Sequence, residues 1–239
     1  MHPVTWGLLV LAVLLAAALQ TMSGFGFALA VMPLMTLALG LRVAAPLVAL
    51  ISFSLYVINV ARYRAHICWE EVVRLGLAAA VAAPLGVWAL SAVPEAVVKG
   101  LLGGIMVAYA LYNLWRPDIS WRVPAWWGYP AGFLAGGLGG AYNTPGPPVI
   151  LYGRMRGWSR DRFRSVLQAF FLVNGAIVIA SHYVARHFNR MIVGAYGIFL
   201  PALILGVWLG ARVDRRLDAR AFHVLVNLLI LALGVSLVL

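Results

Sequence analysis

The stretch GGLGGAYNTPGPPVILY, residues 136–152, interrupts a long apolar segment of the chain. Proline has no backbone N–H and clashes with the preceding helical turn, so Pro145, Pro147 and Pro148 prevent one helix from continuing through this stretch. The sequence therefore predicts a helix that breaks and restarts here. Whatever surrounds the break must satisfy the backbone groups that the break leaves unpaired.

Composition places this break inside a membrane. Hydrophobic residues make up 64% of the 239 residues, charged residues make up 10%, and the mean hydropathy is +0.94. A water-soluble domain of this length could not bury so much apolar surface. The net charge of +11 belongs to loops that orient the chain in the lipid bilayer, and it indicates no nucleic-acid partner. We predict an all-α, polytopic integral membrane protein, without an intramolecular disulfide because Cys68 is alone.

Eight apolar segments follow one another and are separated by short polar loops. The first and the fifth, residues 4–40 and 124–152, are too long for a single crossing and are broken internally. The first break falls in residues 20–26, QTMSGFG, and the second in residues 136–148. The other segments span residues 43–61, 73–93, 96–115, 165–184, 191–211 and 221–239.

The two broken segments begin two similar halves of the chain. The sequence LGVW occurs at residues 85–88 and again at 205–208, and a proline precedes each copy. We predict an N-terminal repeat, residues 1–116, and a C-terminal repeat, residues 117–239. Each repeat has about four hydrophobic segments, and the two together form one transmembrane domain.

Charge placement favours inverted repeats over eight plain crossings. With eight full crossings, the 18 basic residues divide 11 to 7 between the two sides of the membrane. If the first and fifth segments are re-entrant hairpins that return to their own side, the division becomes 14 to 4. The second arrangement satisfies the positive-inside rule far better, and it inverts one half relative to the other, which is a common plan of transporters.

Polar residues at the two breaks suit a small anion. A helix that restarts at a break presents unpaired N–H groups and the positive end of its dipole, which bind anions without a charged side chain. Amide side chains of the sixth segment can complete such a site. We predict substrate binding by Gln20, Thr21, Ser23, Gly24, Gly26, Gly139, Gly140, Asn143, Thr144, Gly146, Gln168 and Asn174.

Several of these positions also have a purely structural interpretation. Glycines that recur every four residues predict a smooth helix face for close packing. Asn59 and Asn174 can form hydrogen bonds between helices instead of lining a cavity. The glycines with this spacing are Gly128, Gly132, Gly136 and Gly140, and the pairs Gly100/Gly104 and Gly206/Gly210.

The sequence predicts no buried acid. All seven carboxylates lie outside the apolar segments, which leaves no carboxylate for a proton relay within the membrane. His182 lies near the end of the sixth segment, where an interfacial position is favoured over a proton relay. The membrane potential alone favours export of an anion by about 2.3 kcal/mol per charge per 100 mV.

The residues at the breaks resemble the TauE/SafE family of sulfite and organosulfonate exporters. The likeness rests on SGFGF at 23–27, MPL at 32–34, GGLGG at 136–140 and GPP at 146–148, and it extends over nearly the whole chain. Where members of the family often carry a run of three glycines, Phe25 and Phe27 interrupt the run here. The resemblance implies transport of sulfur-containing anions such as sulfite, sulfonates or sulfoacetate, often outward.

We therefore expect a transporter of a small sulfur-containing anion in the bacterial cytoplasmic (inner) membrane, working by alternating access around the two breaks. We expect no enzymatic activity, no cofactor and no metal. The alternatives are a carrier of another small solute, even a cation held by backbone carbonyls, an intramembrane enzyme, and a structural membrane scaffold. A homo-oligomer also stays open.

Overall fold

The structure, a computed structural model, describes residues 3–115, 122–213, 231 and 235, and these residues contain helices but no strand. Short 3-10 turns at Arg64–His66 and Ala125–Trp127 precede the fourth and sixth helices. The predicted eighth segment, apart from residues 231 and 235, and the predicted junction between the repeats lie outside the described residues. The helices are α1 Pro3–Ser23, α2 Phe27–Leu39, α3 Leu41–Tyr63, α4 Trp69–Ala92, α5 Glu95–Trp115, α6 Gly128–Tyr142, α7 Gly146–Arg156, α8 Arg160–Val184 and α9 Arg190–Val213.

Five stretches of the described chain are long and apolar enough to cross a membrane, judged by length and composition. They correspond to α1, α3 with the following 3-10 turn, α4, α8 and α9. Helix α2 is equally apolar but has 13 residues, or about 20 Å of helix, which is short of a ~30 Å hydrocarbon core. The described part of the chain is thus all-helical, and the protein is a polytopic membrane protein, as its composition predicts.

The first and fifth apolar segments each consist of two helices in the structure. Residues 24–26 separate α1 from α2, and residues 143–145 separate α6 from α7. Because α1 continues to Ser23, the polar residues Gln20 and Thr21 lie in its last turns and not in the loop. Both breaks therefore follow directly on the C-terminal end of a helix.

Helix α6 lies very close to α4. A Cβ atom at Gly132, Gly136 or Gly140 would collide with the backbone of α4. Lipid is as apolar as leucine, so membrane helices associate through close van der Waals contact, which glycine permits. This contact confirms the packing prediction for α6. On α5, by contrast, a Cβ at Gly100 or Gly104 would meet no atom of the described chain within 4 Å.

Helix α9 packs on α1 in the same manner. A Cβ at Gly206 would collide with the backbone at Leu14, and one at Gly210 would collide with the backbone at Ala18. Gly86 stands in the first LGVW copy where Gly206 stands in the second, and it lies against the backbone of α6. Each LGVW copy therefore contacts the helix that leads into one of the two breaks.

Helices α3 and α8 are the most buried of the candidate spans. They run antiparallel, because Ser165 Oγ donates a hydrogen bond to the carbonyl of Tyr63 at 2.6 Å, whereas Gly175 lies against the ring of Tyr56. Helix α3 also contacts α2, and α8 also contacts α6 and α7. Helix α3 thus lies beside the helix that follows the first break, and α8 lies beside the two helices that flank the second.

Candidate functional site

The first break is a short turn built on glycine. Gly24 and Gly26 have φ angles of 89° and 110°, a backbone conformation that residues with a Cβ rarely adopt. Oε1 of Gln20 accepts a hydrogen bond of 2.9 Å from the N–H of Phe27. A side chain of the last turns of α1 thus caps the first turn of α2.

Side chains of α8 bind the carbonyl groups at the end of α1. Nε2 of Gln168 donates a hydrogen bond of 2.6 Å to the carbonyl of Gly24. The guanidinium of Arg164 donates a hydrogen bond to the carbonyl of Met22. Positive charge is stabilised at the C-terminal end of a helix, where carbonyl groups have no helical partner. Side chains of α8 therefore stabilise the first break, which lies in a different apolar segment.

Thr21 and Asn59 form a buried pair beside the same break. Oγ1 of Thr21 donates to the carbonyl of Ala17 at 2.8 Å and lies 3.3 Å from Oδ1 of Asn59. The hydroxyl of Tyr63 donates to the carbonyl of Thr21 at 2.7 Å. Asn59 is fully buried, yet its Nδ2 has no hydrogen-bond partner in the described part of the chain. The side-chain amide of Asn59 therefore provides an unused hydrogen-bond donor beside the first break.

The hydroxyl of Ser23 is bound within its own turn. It lies 2.8 Å from the carbonyl of Leu19 and 2.6 Å from the carbonyl of Phe25, and it accepts a bond from the N–H of Phe25. A serine hydroxyl has one proton to donate, and both nearby acceptors belong to the turn. Ser23 therefore stabilises the turn at the first break, where the sequence predicts that it binds the substrate.

The second break begins with a residue in the left-handed conformation. Asn143 has a φ of 56°, and its N–H donates to the carbonyl of Gly139 at 2.9 Å, which ends α6. Nδ2 of Asn143 donates to the carbonyl of Ala45 on α3 at 2.8 Å. The N–H of Thr144 donates to the carbonyl of Leu138, whereas Oγ1 of Thr144 is buried without a partner among the described residues.

Helix α7 starts with Gly146, Pro147 and Pro148. The first three residues of a helix have N–H groups without a helical partner, but proline has no N–H. Of these three residues, only Gly146 can offer a backbone donor to a ligand. The positive end of the α7 dipole is present at the break, but with fewer donors than a proline-free helix would have.

The adjacent glycines of α6 face different neighbours. A Cβ at Gly139 would collide with the side-chain amide of Asn174 on α8. A Cβ at Gly140 would collide with the backbone of Ala83 on α4. The structure therefore places Gly139 beside the polar side chains of α8 and gives Gly140 a packing role.

Helix α8 connects the two breaks. Gln168 binds the first break and Asn174 lies beside the helix that leads into the second, and six residues correspond to about 9 Å along a helix. The two predicted site residues of α8 thus lie within two turns of this helix, one beside each broken segment. Five buried side chains near the breaks have a polar atom without a partner in the described chain: Gln20 Nε2, Asn59 Nδ2, Thr144 Oγ1, Gln168 Oε1 and Asn174 Oδ1.

Buried polar atoms without a protein partner are expected to bind a ligand or water. Most buried polar atoms in proteins have a partner, and a buried one without a partner costs about 1–3 kcal/mol. The two unpaired amide nitrogens and the Thr144 hydroxyl are donors, which suit the oxygens of an anion. Within the described residues, no group of three or more His, Cys, Asp or Glu side chains could hold a metal ion.

The model of the sulfite exporter TauE/SafE family matches residues 9–237. This chain belongs to the TauE/SafE family. The match covers nearly the whole sequence and confirms the resemblance at the breaks. Comparison of the TauE/SafE chain with curated proteins and with solved structures finds no match. Members of the family are transporters of sulfur-containing anions rather than enzymes, so the chain is an integral membrane transporter.

One acid of this TauE/SafE protein is buried, which corrects the expectation that none is. Glu71 lies in the first turn of α4 with its side chain 1% exposed. The hydroxyl of Tyr152 donates to Oε2 at 2.7 Å, and Arg156 and Arg162 lie 3.3 Å and 3.6 Å from Oε1. Burial is tolerated because these cations, with Arg74 at 3.6 Å, compensate the charge. Since the partners come largely from α7 and α8, spacing along the sequence does not reveal them.

His182 of the TauE/SafE protein is also buried, in the last turn of α8. Sequence reasoning missed Arg164 as a neighbour of the first break as well. The available signal was its spacing from Gln168, because residues four apart share one face of a helix. Together with the predicted Gln168, a polar stripe along the start of α8 would have indicated Arg164.

Proposed function

We propose that the protein exports a small sulfur-containing oxyanion, such as sulfite, a sulfonate or sulfoacetate, across the bacterial cytoplasmic membrane. The predicted site residues at the two breaks bind the anion near the middle of the membrane. The cytoplasm-negative potential favours its exit by about 2.3 kcal/mol per charge per 100 mV.

The observation that carries this proposal is the set of buried, unpaired donors at the breaks. Nε2 of Gln20, Nδ2 of Asn59 and Oγ1 of Thr144 are buried and lack partners among the described residues. The N-terminal ends of α2 and α7 add positive dipole ends. Donors without a full positive charge bind an anion weakly enough to release it, which transport requires.

The packing supports inverted repeats of residues 1–116 and 117–239. The first LGVW copy packs on α6, and the second packs on α1. Each half of the chain thus packs its LGVW helix on the broken segment of the other half. Such reciprocal packing is expected if a two-fold axis relates the two repeats, and this axis would pass between α3 and α8. Re-entrant first and fifth segments put 14 of the 18 basic residues on the cytoplasmic side.

Alternating access follows from the same arrangement. Helix α8 binds the first break through Gln168 and Arg164, and it lies beside the second through Asn174. A movement of α8 relative to the broken segments would open the anion site to one side while closing it to the other.

The test is anion flux in proteoliposomes under a set membrane potential, with sulfite, sulfoacetate, sulfate and chloride compared. We expect flux of sulfite or sulfoacetate that rises with an inside-negative potential and exceeds the flux of chloride at least tenfold. Equal flux of all four anions, or none above empty liposomes, would contradict the proposal.

Thr144→Val and Asn143→Ala test the site itself. Thr144→Val removes an unpaired hydroxyl with little change of shape, so we expect flux to fall about tenfold or more, from the loss of one or two hydrogen bonds to the anion. Thr36→Val is the matched control, because Thr36 is equally buried with an unpaired hydroxyl but lies nine residues into α2. Normal flux in both Thr144→Val and Asn143→Ala would remove the second break from the site.

A further inference from the structure

Two histidines at the end of α8 form a hydrogen-bonded pair. His182 lies in the last turn of α8 and is fully buried, and His187 lies in the loop before α9. Their Nδ1 atoms are 2.9 Å apart. Because a hydrogen bond needs one donor and one acceptor, one Nδ1 carries a proton and the other does not. The uncharged pair therefore holds its two rings in opposite tautomers.

His187 connects the pair to an open cavity. Its Nε2 lies 3.0 Å from Oγ of Ser91 at the end of α4. Both residues line a cavity of about 270 Å³ together with Arg42 and Leu90. In the proposed topology with re-entrant first and fifth segments, Arg42 is one of the four basic residues on the outer side of the membrane. Solvent in the cavity can exchange protons with His187 directly or through Ser91.

His182 connects the pair to the interior. Its Nε2 is buried and has no partner in residues 3–115 and 122–213. Asn174 lies eight residues earlier on α8, or about 12 Å along the helix, beside the second break. A buried ring nitrogen without a partner is unfavourable, and it stands on the same helix as the anion site.

We infer that the histidine pair conducts a proton and couples anion export to proton entry from the outer side. The inference rests on the proposed function. A proton from the cavity binds Nε2 of His187, the proton on Nδ1 of His187 crosses to Nδ1 of His182, and the proton on Nε2 of His182 leaves to water in the interior. Each ring still has one proton, and the two tautomers have been exchanged. One proton passes before the tautomers must be reset. The conformational cycle breaks the Nδ1–Nδ1 hydrogen bond, and each ring then takes up one proton from water on its own side and releases one to it, so that the reset carries no proton back.

The charged groups around the pair keep it neutral between transfers. Arg42 of α3 faces His187, and burial together with this cation holds the pKa of His187 below its ordinary value. Glu95 of α5 interacts with Arg42 and pairs with Lys99 at 2.9 Å. On the other side, the ring of Phe188 packs against His182. A neutral pair is the form that the proton path requires at neutral pH.

The experiment measures protons and anions together in proteoliposomes. Sulfoacetate is the probe, because its groups remain ionised near neutral pH and carry no protons themselves. Labelled sulfoacetate gives the anion flux, and a trapped pH-sensitive dye gives the proton flux. For the unmodified protein we expect protons to move with the anion, and the anion flux to change by up to about tenfold per pH unit of external pH.

His187→Gln and His182→Gln should abolish the proton movement per anion carried and flatten the pH profile. His66→Gln is the control, since His66 is an exposed histidine in the 3-10 turn after α3. Proton movement per anion that is unchanged in His187→Gln, or absent from the unmodified protein, would overturn the inference.

If sulfoacetate does not move at all, the proposed function fails, and a direct measurement decides the inference. ¹⁵N spectra of the imidazole rings in the detergent-solubilised protein should show opposite tautomers for His182 and His187. His187→Gln should then change the tautomer of His182. Identical tautomers, or a His182 signal that ignores His187→Gln, would reject the proton path.

Discussion

The two helix breaks each divide one long apolar segment, yet they are built differently. The first consists of residues 24–26, with Gly24 and Gly26 in positive-φ conformations, and side chains of α8 hold its carbonyl groups. The second consists of residues 143–145, with Asn143 as a left-handed cap and proline on both sides of Gly146. The first break depends on contacts from elsewhere, whereas the second is stiffened by its own sequence.

The backbone donors differ in the same way. In α2 the N–H of Phe27 is bound by Gln20, and the N–H groups of Ala28 and Leu29 follow without helical partners. In α7, Pro147 and Pro148 remove the equivalent donors. In the proposed anion site, the first break would therefore offer more backbone donors than the second. The second break contributes a rigid wall and the hydroxyl of Thr144.

The two breaks also differ in how freely their backbones can change conformation. Glycine restricts the backbone least and proline restricts it most. The first break can therefore change shape at a lower free-energy cost than the second, provided that its contacts with α8 are released.

Among the variants that test the difference between the two breaks, Gln168→Leu should change anion flux and stability the most. The variant leaves the carbonyl of Gly24 without its 2.6 Å hydrogen bond and removes a polar neighbour of the anion. We expect the free energy of unfolding to fall by about 1–3 kcal/mol and anion flux to fall at least tenfold. Thermal unfolding in detergent and proteoliposome flux measure the two quantities.

Asn174→Leu is the counterpart at the second break, on the same helix. We expect a smaller loss of flux, because fewer donors surround the anion there. Flux that is insensitive to Gln168→Leu but abolished by Asn174→Leu would reverse the assignment of the two breaks.

Pro148→Ala should have an intermediate effect, in the opposite direction. The variant restores one N–H in the first turn of α7, and one additional hydrogen bond to the anion is worth about 0.5–1.5 kcal/mol. We expect the KM for the anion to fall about two- to tenfold. Pro33→Ala is the control, because Pro33 lies inside α2 and its replacement adds no donor at a break. An unchanged KM in Pro148→Ala would show that the α7 end does not contact the anion.

Ser23→Ala should have the smallest effect. Its hydroxyl is bound to its own turn, so we expect the free energy of unfolding to fall by about 1 kcal/mol and flux to fall less than threefold. Flux assays across a range of anion concentrations separate a change in KM from a loss of folded protein. A tenfold rise in KM would give Ser23 the ligand role that the sequence predicts.

Local patterns predicted the parts of the structure that depend on a few neighbouring residues. Glycine and proline in residues 136–148 indicated the second interruption, and the four-residue spacing of Gly132, Gly136 and Gly140 indicated the close contact with α4. The family could also be recognised from these motifs. The same patterns gave no sign that Glu71 is buried or that His182 pairs with His187, since these environments are made by several elements together.

The sequence by itself determined that the protein is a helical membrane protein, because composition acts through the bilayer, and its motifs identified it as a member of the TauE/SafE transporter family. Only the tertiary structure decided which groups meet at the breaks. Gln168 and Gly24 are 144 residues apart in the chain, and Asn143 and Ala45 are 98 apart. A hydrogen bond depends on an approach of about 3 Å between two atoms, and no local propensity encodes that approach across such separations.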